Sequence, residues 1–210
     1  MDLSTVSLDA FIAFMLVFII LMKVFQSRIV GFIGEKYTAW RVKRITGGIV
    51  FHDVYVKGSH GVQQIDIIAV TEKGILVIEK KTYIGLIVGS AYDKQWTVYI
   101  ARGRRLFFKK RKYFMKNPHH QNYGHIQALM ENIPETNGKC LDVVIFGNNA
   151  KLGDRIPTGT LNDRDFRRLY TNLPYKLSQQ EISYFAGKIE NLNSEKAENK
   201  KMHREKIKAM

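Results

Sequence analysis

Two acids and a lysine set in an otherwise apolar stretch, QIDIIAVTEKGILVIEKK at residues 64–81, are the residues of this sequence best suited to chemistry. The stretch reads as two short strands, 64–70 and 75–81, joined by a tight turn at Thr71-Glu72-Lys73-Gly74, where Gly74 supplies the positive φ that such turns often need. Pairing Val70 with Ile75 puts Asp66 opposite Glu79, and Lys81 falls two residues further along the face that carries Glu79. Two carboxylates facing each other repel, and inside an apolar strand pair both are costly to desolvate. A cation between them offsets that cost, and hard oxygen ligands suit a divalent ion. The competing reading is a solvated trio on a wet face, with Lys81 balancing the acids. Ile65, Ile67, Ile68, Val77 and Ile78 surround the acids on both faces, which points to a strand buried on both sides and favours a site.

The elements around this hairpin follow from pattern. Residues 27–45 have helical spacing at Val30, Ile33, Tyr37 and Trp40, with Val42 and Ile45 near the end, and Gly47-Gly48 stops the helix. Residues 49–56 alternate as a strand, and Lys57-Gly58-Ser59-His60-Gly61 is a loop. Residues 86–88 and 96–100 are two further short strands, and Arg102-Gly103-Arg104-Arg105 reads as a turn into 106–108. Asn117-Pro118 opens a helix, Asn as cap and Pro at its first position, running to about Ile133 with Ile126, Leu129, Met130 and Ile133 as its apolar stripe. LDVVIF at 141–146 is a buried strand. This order predicts an α/β core with a mixed sheet. Beyond it, 162–170 and 178–192 are helical, the second capped by Ser178, and 194–210 is a frayed helix or solvated basic tail.

At 210 residues the chain makes one α/β domain with appendages. Thirty-three Lys and Arg against nineteen Asp and Glu give a net charge of +14, which favours a polyanionic partner, nucleic acid or an anionic membrane surface. The single cysteine, Cys140, excludes an internal disulfide and a multi-cysteine zinc site and fits a reducing compartment. Near the N-terminus, 10–22 is an unbroken non-polar run, and the window 6–25 would make about 30 Å of helix. Positive charge follows at Lys23, Arg28, Lys36, Arg41, Lys43 and Arg44, while the first nine residues carry none. The expectation is a single-pass cell-membrane anchor, N-terminus outside and body cytoplasmic, rather than a cleaved signal peptide. The divisions expected are therefore 1–26 as anchor, 27–150 as core, 151–193 as a helical extension and 194–210 as tail.

Gly34-Glu35, Gln64-Ile65-Asp66, the run Gly74 to Lys81, Gly85, Trp96 and Asn117-Pro118-His119-His120-Gln121 occur in an order and spacing that resemble the NERD, or nuclease-related, domain over about residues 30–147. The resemblance implies a restriction-endonuclease-like core of the PD-(D/E)xK superfamily (helix, mixed central sheet, helix, strand), a magnesium-type ion, Mg2+ or Mn2+, and phosphodiester cleavage of DNA or RNA. On that reading Asp66, Glu79 and the Lys80 carbonyl hold the ion, and Lys81 orients or helps deprotonate the attacking water. Glu35 joins from the first helix as a further ligand or through water, Gln121 holds phosphate or water, and Gln64 supports the acids. His125 is read as a surface or semi-buried neighbour, and His119 and His120, in the first turn, as solvated loop residues rather than as phosphate contacts. Lys80 departs from the family pattern, which commonly has an apolar or small residue there. Arg102, Arg104, Arg105, Lys109, Lys110, Arg111 and Lys112, interleaved with Phe107, Phe108, Tyr113 and Phe114, form the expected nucleic-acid contact, against the alternative of a basic strand edge with its aromatics in the core. The alternative function is a catalytically weak or inactive nucleic-acid-binding or signalling module with the same fold.

Overall fold

The computed structural model describes residues 3–102, 109–194 and 196–208, with the side chains of 3–7, 21–30, 32, 101, 102, 109, 110, 196, 197, 204 and 206–208 left undescribed. Helix α1 (Leu3–Thr46) is followed by an antiparallel meander, β1 (Ile49–Gly58), β2 (Gly61–Thr71) and β3 (Gly74–Lys81). Next come β4 (Gly85–Val88), β5 (Gln95–Arg102) and β6 (Lys109–Lys116), then helix α2 (Pro118–Asn132) and β7 (Cys140–Phe146). Two short strands, β8 (Ala150–Leu152) and β9 (Thr160–Asn162), precede helices α3 (Phe166–Asn172), α4 (Gln179–Ser194) and α5 (Lys196–Lys208).

The strands form two mixed sheets. The first has the order β1-β2-β3-β7-β9, with β3, β7 and β9 parallel to one another, and the second has the order β6-β5-β4-β8. Val70 pairs with Ile75 across the turn, the register expected from the sequence. β3 lies in the middle of the first sheet and its apolar residues are fully buried, because both its faces are covered. Ile75 and Val77 pack with α2 and α4 through Leu129, Ile133, Phe185 and Ile189. Leu76 and Ile78 pack on the other face with Ala39 and Val42 of α1 and Phe166 and Tyr170 of α3. The second sheet closes on the first through Trp96, which stacks on Phe146 with ring centroids 6.4 Å apart.

Several expectations change. The anchor and first helix are one continuous helix of 44 residues. Among the described residues no helix is long and apolar enough to cross a membrane, so the span expected over 6–25 is not supported. Residues 8–20 do expose apolar side chains all round, Phe11, Phe14 and Ile20 among them. Thirteen helical residues rise only about 20 Å, short of the roughly 30 Å of a bilayer core. The side chains needed to complete the span, 6, 7 and 21–25, lie outside the described residues. Ile33, Tyr37 and Trp40 are exposed, and α1 packs instead through Thr38, Ala39 and Val42. The small side chains at 38 and 39 let the helix approach the sheet closely, leaving the bulky ones outside, where Trp40 lies against Tyr37 and Arg44. Residues 109–116, expected only as a basic cluster, form β6 paired along β5, while the turn and strand expected at 103–108 lie outside the described residues. The C-terminal residues are helix α5, docked on β1 and β2 by His203 Nδ1 to the Val62 carbonyl at 2.9 Å and by the buried Asn199.

Lys80, the departure from the family pattern, has a partner. Its side chain points away from Glu79, to the α1 face, where Nζ donates to Asp163 Oδ2 at 2.5 Å while Thr38 Oγ1 donates to Asp163 Oδ1 at 2.9 Å. The Lys80 and Asp163 side chains are 2% and 8% exposed, so each charge depends on the other. Asp163→Ala should therefore destabilise the fold by about 3–5 kcal/mol, and the apolar pair Lys80→Met with Asp163→Leu should recover most of that loss, read by urea denaturation.

Candidate active site

The site forms where the first sheet comes apart. The β2–β3 ladder runs as far as Ile67 with Ile78. The next position holds Asp66 and Glu79, and there the Lys80 N–H donates to the Asp66 carboxylate Oδ2 at 2.9 Å instead of to a backbone carbonyl. In a strand the N–H and C=O of one residue address the same neighbour, which brings the Lys80 carbonyl to the same gap. Glu79 is 4% exposed, and its Oε1 accepts from Lys81 Nζ at 2.6 Å. Lys81 Nζ also donates to Gln121 Oε1 at 2.9 Å, so α2 contributes to the site directly. α2 is itself held to the sheet by Asn122, whose Nδ2 donates to the Val77 carbonyl and to Asp142 Oδ1, both at 2.7 Å.

Burial dominates the electrostatics of the acids. Burial, then the charge of Glu79, pushes the Asp66 carboxyl up to about 7, against the opposing pull of the Lys80 N–H and Lys81. Glu35 also rises to about 7, through burial and then the charges of Asp66 and Asp53. Burial raises Glu79 as well, with Lys81 lowering it. Glu35, Asp66, Glu79 and Lys81 lie close enough to influence one another's charge, and Gln121 joins them through its bond to Lys81.

Two residues of the site were not anticipated in these roles. Asp53 is bracketed by the pairs His52 with Ile67 and Val54 with Ile65, which puts it opposite Asp66 on β1. Its φ of 56° is left-handed, a conformation that Asp tolerates better than most residues and that here breaks the alternation of β1. Phe51 and Val54, three apart, consequently pack in the same cluster. Gln64 Nε2 donates to Asp53 Oδ1 at 2.8 Å, and Lys200 of α5 lies 3.4 Å from Oδ2, so Gln64 supports this acid rather than Asp66. The aspartate interrupting the alternating residues 49–56 was the only available sign. His125 is buried against Glu79, not at the surface, and burial and then Lys81 hold its pKa down at about 4. His119 is not a loop residue in solvent either: Nδ1 lies 2.6 Å from Asp142 Oδ2 and Nε2 2.7 Å from Thr160 Oγ1. His120 is exposed and reaches the Ala91 carbonyl.

Among the described residues no group of three or more His, Cys, Asp or Glu is placed to hold a metal ion. The donors present nevertheless fit magnesium, which is held through one or two carboxylates and keeps several waters. Glu79 Oε2 is a buried acceptor without a hydrogen-bond partner, an arrangement that a cation would relieve. Beside Gln121, Lys94, Gln95, Lys116, Asn117 and His120 line an open pocket of about 380 Å³. On β6, Arg111 and Lys112 are exposed, and Lys112 sits 4.7 Å above the ring of Phe114, itself exposed, so this aromatic is not in the core. The side chains of Arg102, Lys109 and Lys110 and the whole of Arg104 and Arg105 lie outside the described residues.

The strands and helices form a mixed α/β domain whose first sheet opens at Asp66 and Glu79 beside α2. The family model described as the nuclease-related domain, NERD, matches residues 30–147, more than half of the chain, and the chain belongs to that family. An uncharacterized protein of Bacillus anthracis is 38% identical over 104 residues, covering 49% of this chain and 45% of its own length. The chain thus spans a little under half the length of that relative. No solved structure matches the chain.

An acid whose pKa is higher folded than unfolded binds more protons in the folded state, so it costs stability as pH rises from the unfolded pKa to the folded one. For Asp66 that window runs from the model-peptide value of 3.8 to about 7. Asp66→Asn in EDTA should raise the thermal midpoint by on the order of 5 °C at pH 8 and by much less at pH 4, measured by thermal denaturation.

Proposed function

We propose that this protein is a metal-dependent phosphodiesterase that cleaves DNA or RNA. The observation that carries the reading is the convergence of Asp66, Glu79, Lys81 and Gln121 at one opening of the sheet, with the buried Glu79 Oε2 unpaired. Asp66, Glu79 and the Lys80 carbonyl would hold Mg2+ or Mn2+, with Glu35 reaching the ion directly or through water. When bound, the ion supplies Lewis-acid stabilisation of the phosphoryl charge and a hydroxide at neutral pH. Lys81, steadied by Gln121, orients the attacking water and stabilises charge on the phosphoryl oxygens. Lys94 and Lys116 beside Gln121, together with Arg111 and Lys112 on β6, give the nucleic-acid backbone a cationic approach, and Phe114 offers a face for base stacking.

The reading includes attachment at a membrane through the apolar residues 8–20 of α1, with the core on the cytoplasmic side. Exposure of those side chains and the basic residues that follow, Lys36, Arg41, Lys43 and Arg44, support it.

The full-length protein, assayed on single- and double-stranded DNA and RNA, should cleave with added Mg2+ or Mn2+ and not in EDTA. Asp66→Ala and Glu79→Ala should reduce cleavage to background, and Lys81→Met should cost on the order of hundredfold in rate. Cleavage by Asp66→Ala at the wild-type rate, or undiminished cleavage in EDTA, would refute the assigned site. Binding without cleavage by the wild-type protein would leave the fold as a nucleic-acid-tethering module.

A further inference from the structure

Helix α2 puts two side chains against the Glu79–Lys81 pair. Gln121 and His125, four residues apart, share one helical face. Gln121 accepts from Lys81 Nζ at 2.9 Å, and His125 Nδ1 lies 3.5 Å from Glu79 Oε2. Both atoms of this second contact are buried and lack any hydrogen-bond partner. A buried, unpartnered donor facing a buried, unpartnered acceptor costs free energy that a shift of a few tenths of an ångström recovers. An ionised carboxylate only accepts, which requires the proton of the imidazole on Nδ1.

We infer that His125 is a positioning residue: by donating its Nδ1–H to one lone pair of Glu79 Oε2 it fixes the rotation of that carboxylate and leaves the second lone pair of the same oxygen to a divalent cation. The inference rests on the proposed role of Glu79 as a ligand. Glu79 is then held from both sides, by Lys81 on Oε1 and by His125 on Oε2, and both supports are braced by α2. The two contacts differ in kind. A lysine competes with the cation for the carboxylate, since both are positive, whereas a neutral imidazole supports the carboxylate and leaves its charge available. Partners of this kind, placed behind a ligand, set metal affinity by tenfold to a hundredfold.

The test is Mn2+ affinity of the full-length protein, measured by electron paramagnetic resonance titration without nucleic acid. His125→Leu should weaken Mn2+ binding about tenfold or more. His125→Asn, whose amide nitrogen falls near the Nδ1 position, should recover most of the loss, and His125→Gln, whose amide nitrogen falls near Nε2, should not. The Asn–Gln comparison also serves if the leucine variant fails to fold. Equal affinity in wild type and His125→Leu, or recovery by Gln as full as by Asn, would overturn the positioning role, provided Glu79→Ala abolishes binding. Undiminished Mn2+ binding in Glu79→Ala would instead remove the ligand assignment beneath it.

Discussion

The burial of two carboxylates, Asp66 and Glu79, side by side in an apolar sheet is the constraint around which this fold is organised. Burial raises the proton affinity of both carboxylates, and the charge of Glu79 raises that of Asp66 further. The fold meets this cost in several places at once. The ladder stops and one backbone N–H is turned to Asp66, a lysine is set on Glu79, and a helix carries polar residues inward to hold that lysine. Each device sacrifices regular structure, and each lies within a few residues of the acids. Such irregularity, concentrated within an otherwise apolar sheet, sets this position apart and supports the proposed reading of it as a site.

Much of this was legible in the sequence because the period of a strand is short and unambiguous. The turn at Gly74 and the β-branched flanks fix the register, and register alone brings Asp66 to Glu79. The cap at Asn117 and Pro118 is equally local, with the Asn117 side chain accepting from the His119 N–H at 3.0 Å. Ser178 and Glu181 likewise cap α4 reciprocally, through bonds of 3.3 Å and 2.9 Å. Signals of this kind depend on neighbouring residues and need no knowledge of the tertiary fold.

The misreadings have a common origin in polar groups that face inward. The apolar stripe of α2 predicts the face carrying Ile126 and Met130, but the buried face also carries Asn122 and His125, which a count of hydrophobic residues assigns to water. The same holds for Lys80, whose partner Asp163 is eighty-three residues away, and for α5, which docks through His203, Lys200 and Asn199 without an apolar stripe. Burial of these groups is made tolerable by partners that only the tertiary fold brings near, so no local pattern announces it. α1 is misread for the opposite reason: small side chains at 38 and 39 determine the contact, and the large ones that dominate a hydropathy pattern are left outside.

α1 runs without interruption from its exposed apolar end to the first sheet. Its exposed apolar end and Glu35 belong to the same 44-residue helix, and fifteen residues from Ile20 to Glu35 amount to about 22 Å along the axis. Gly31 and Gly34 fall within that stretch, yet the backbone stays helical through both and no loop separates the two ends. On the proposed reading, a surface that grips that end would set both the height of the acidic opening above it and the angle at which a long polymer enters.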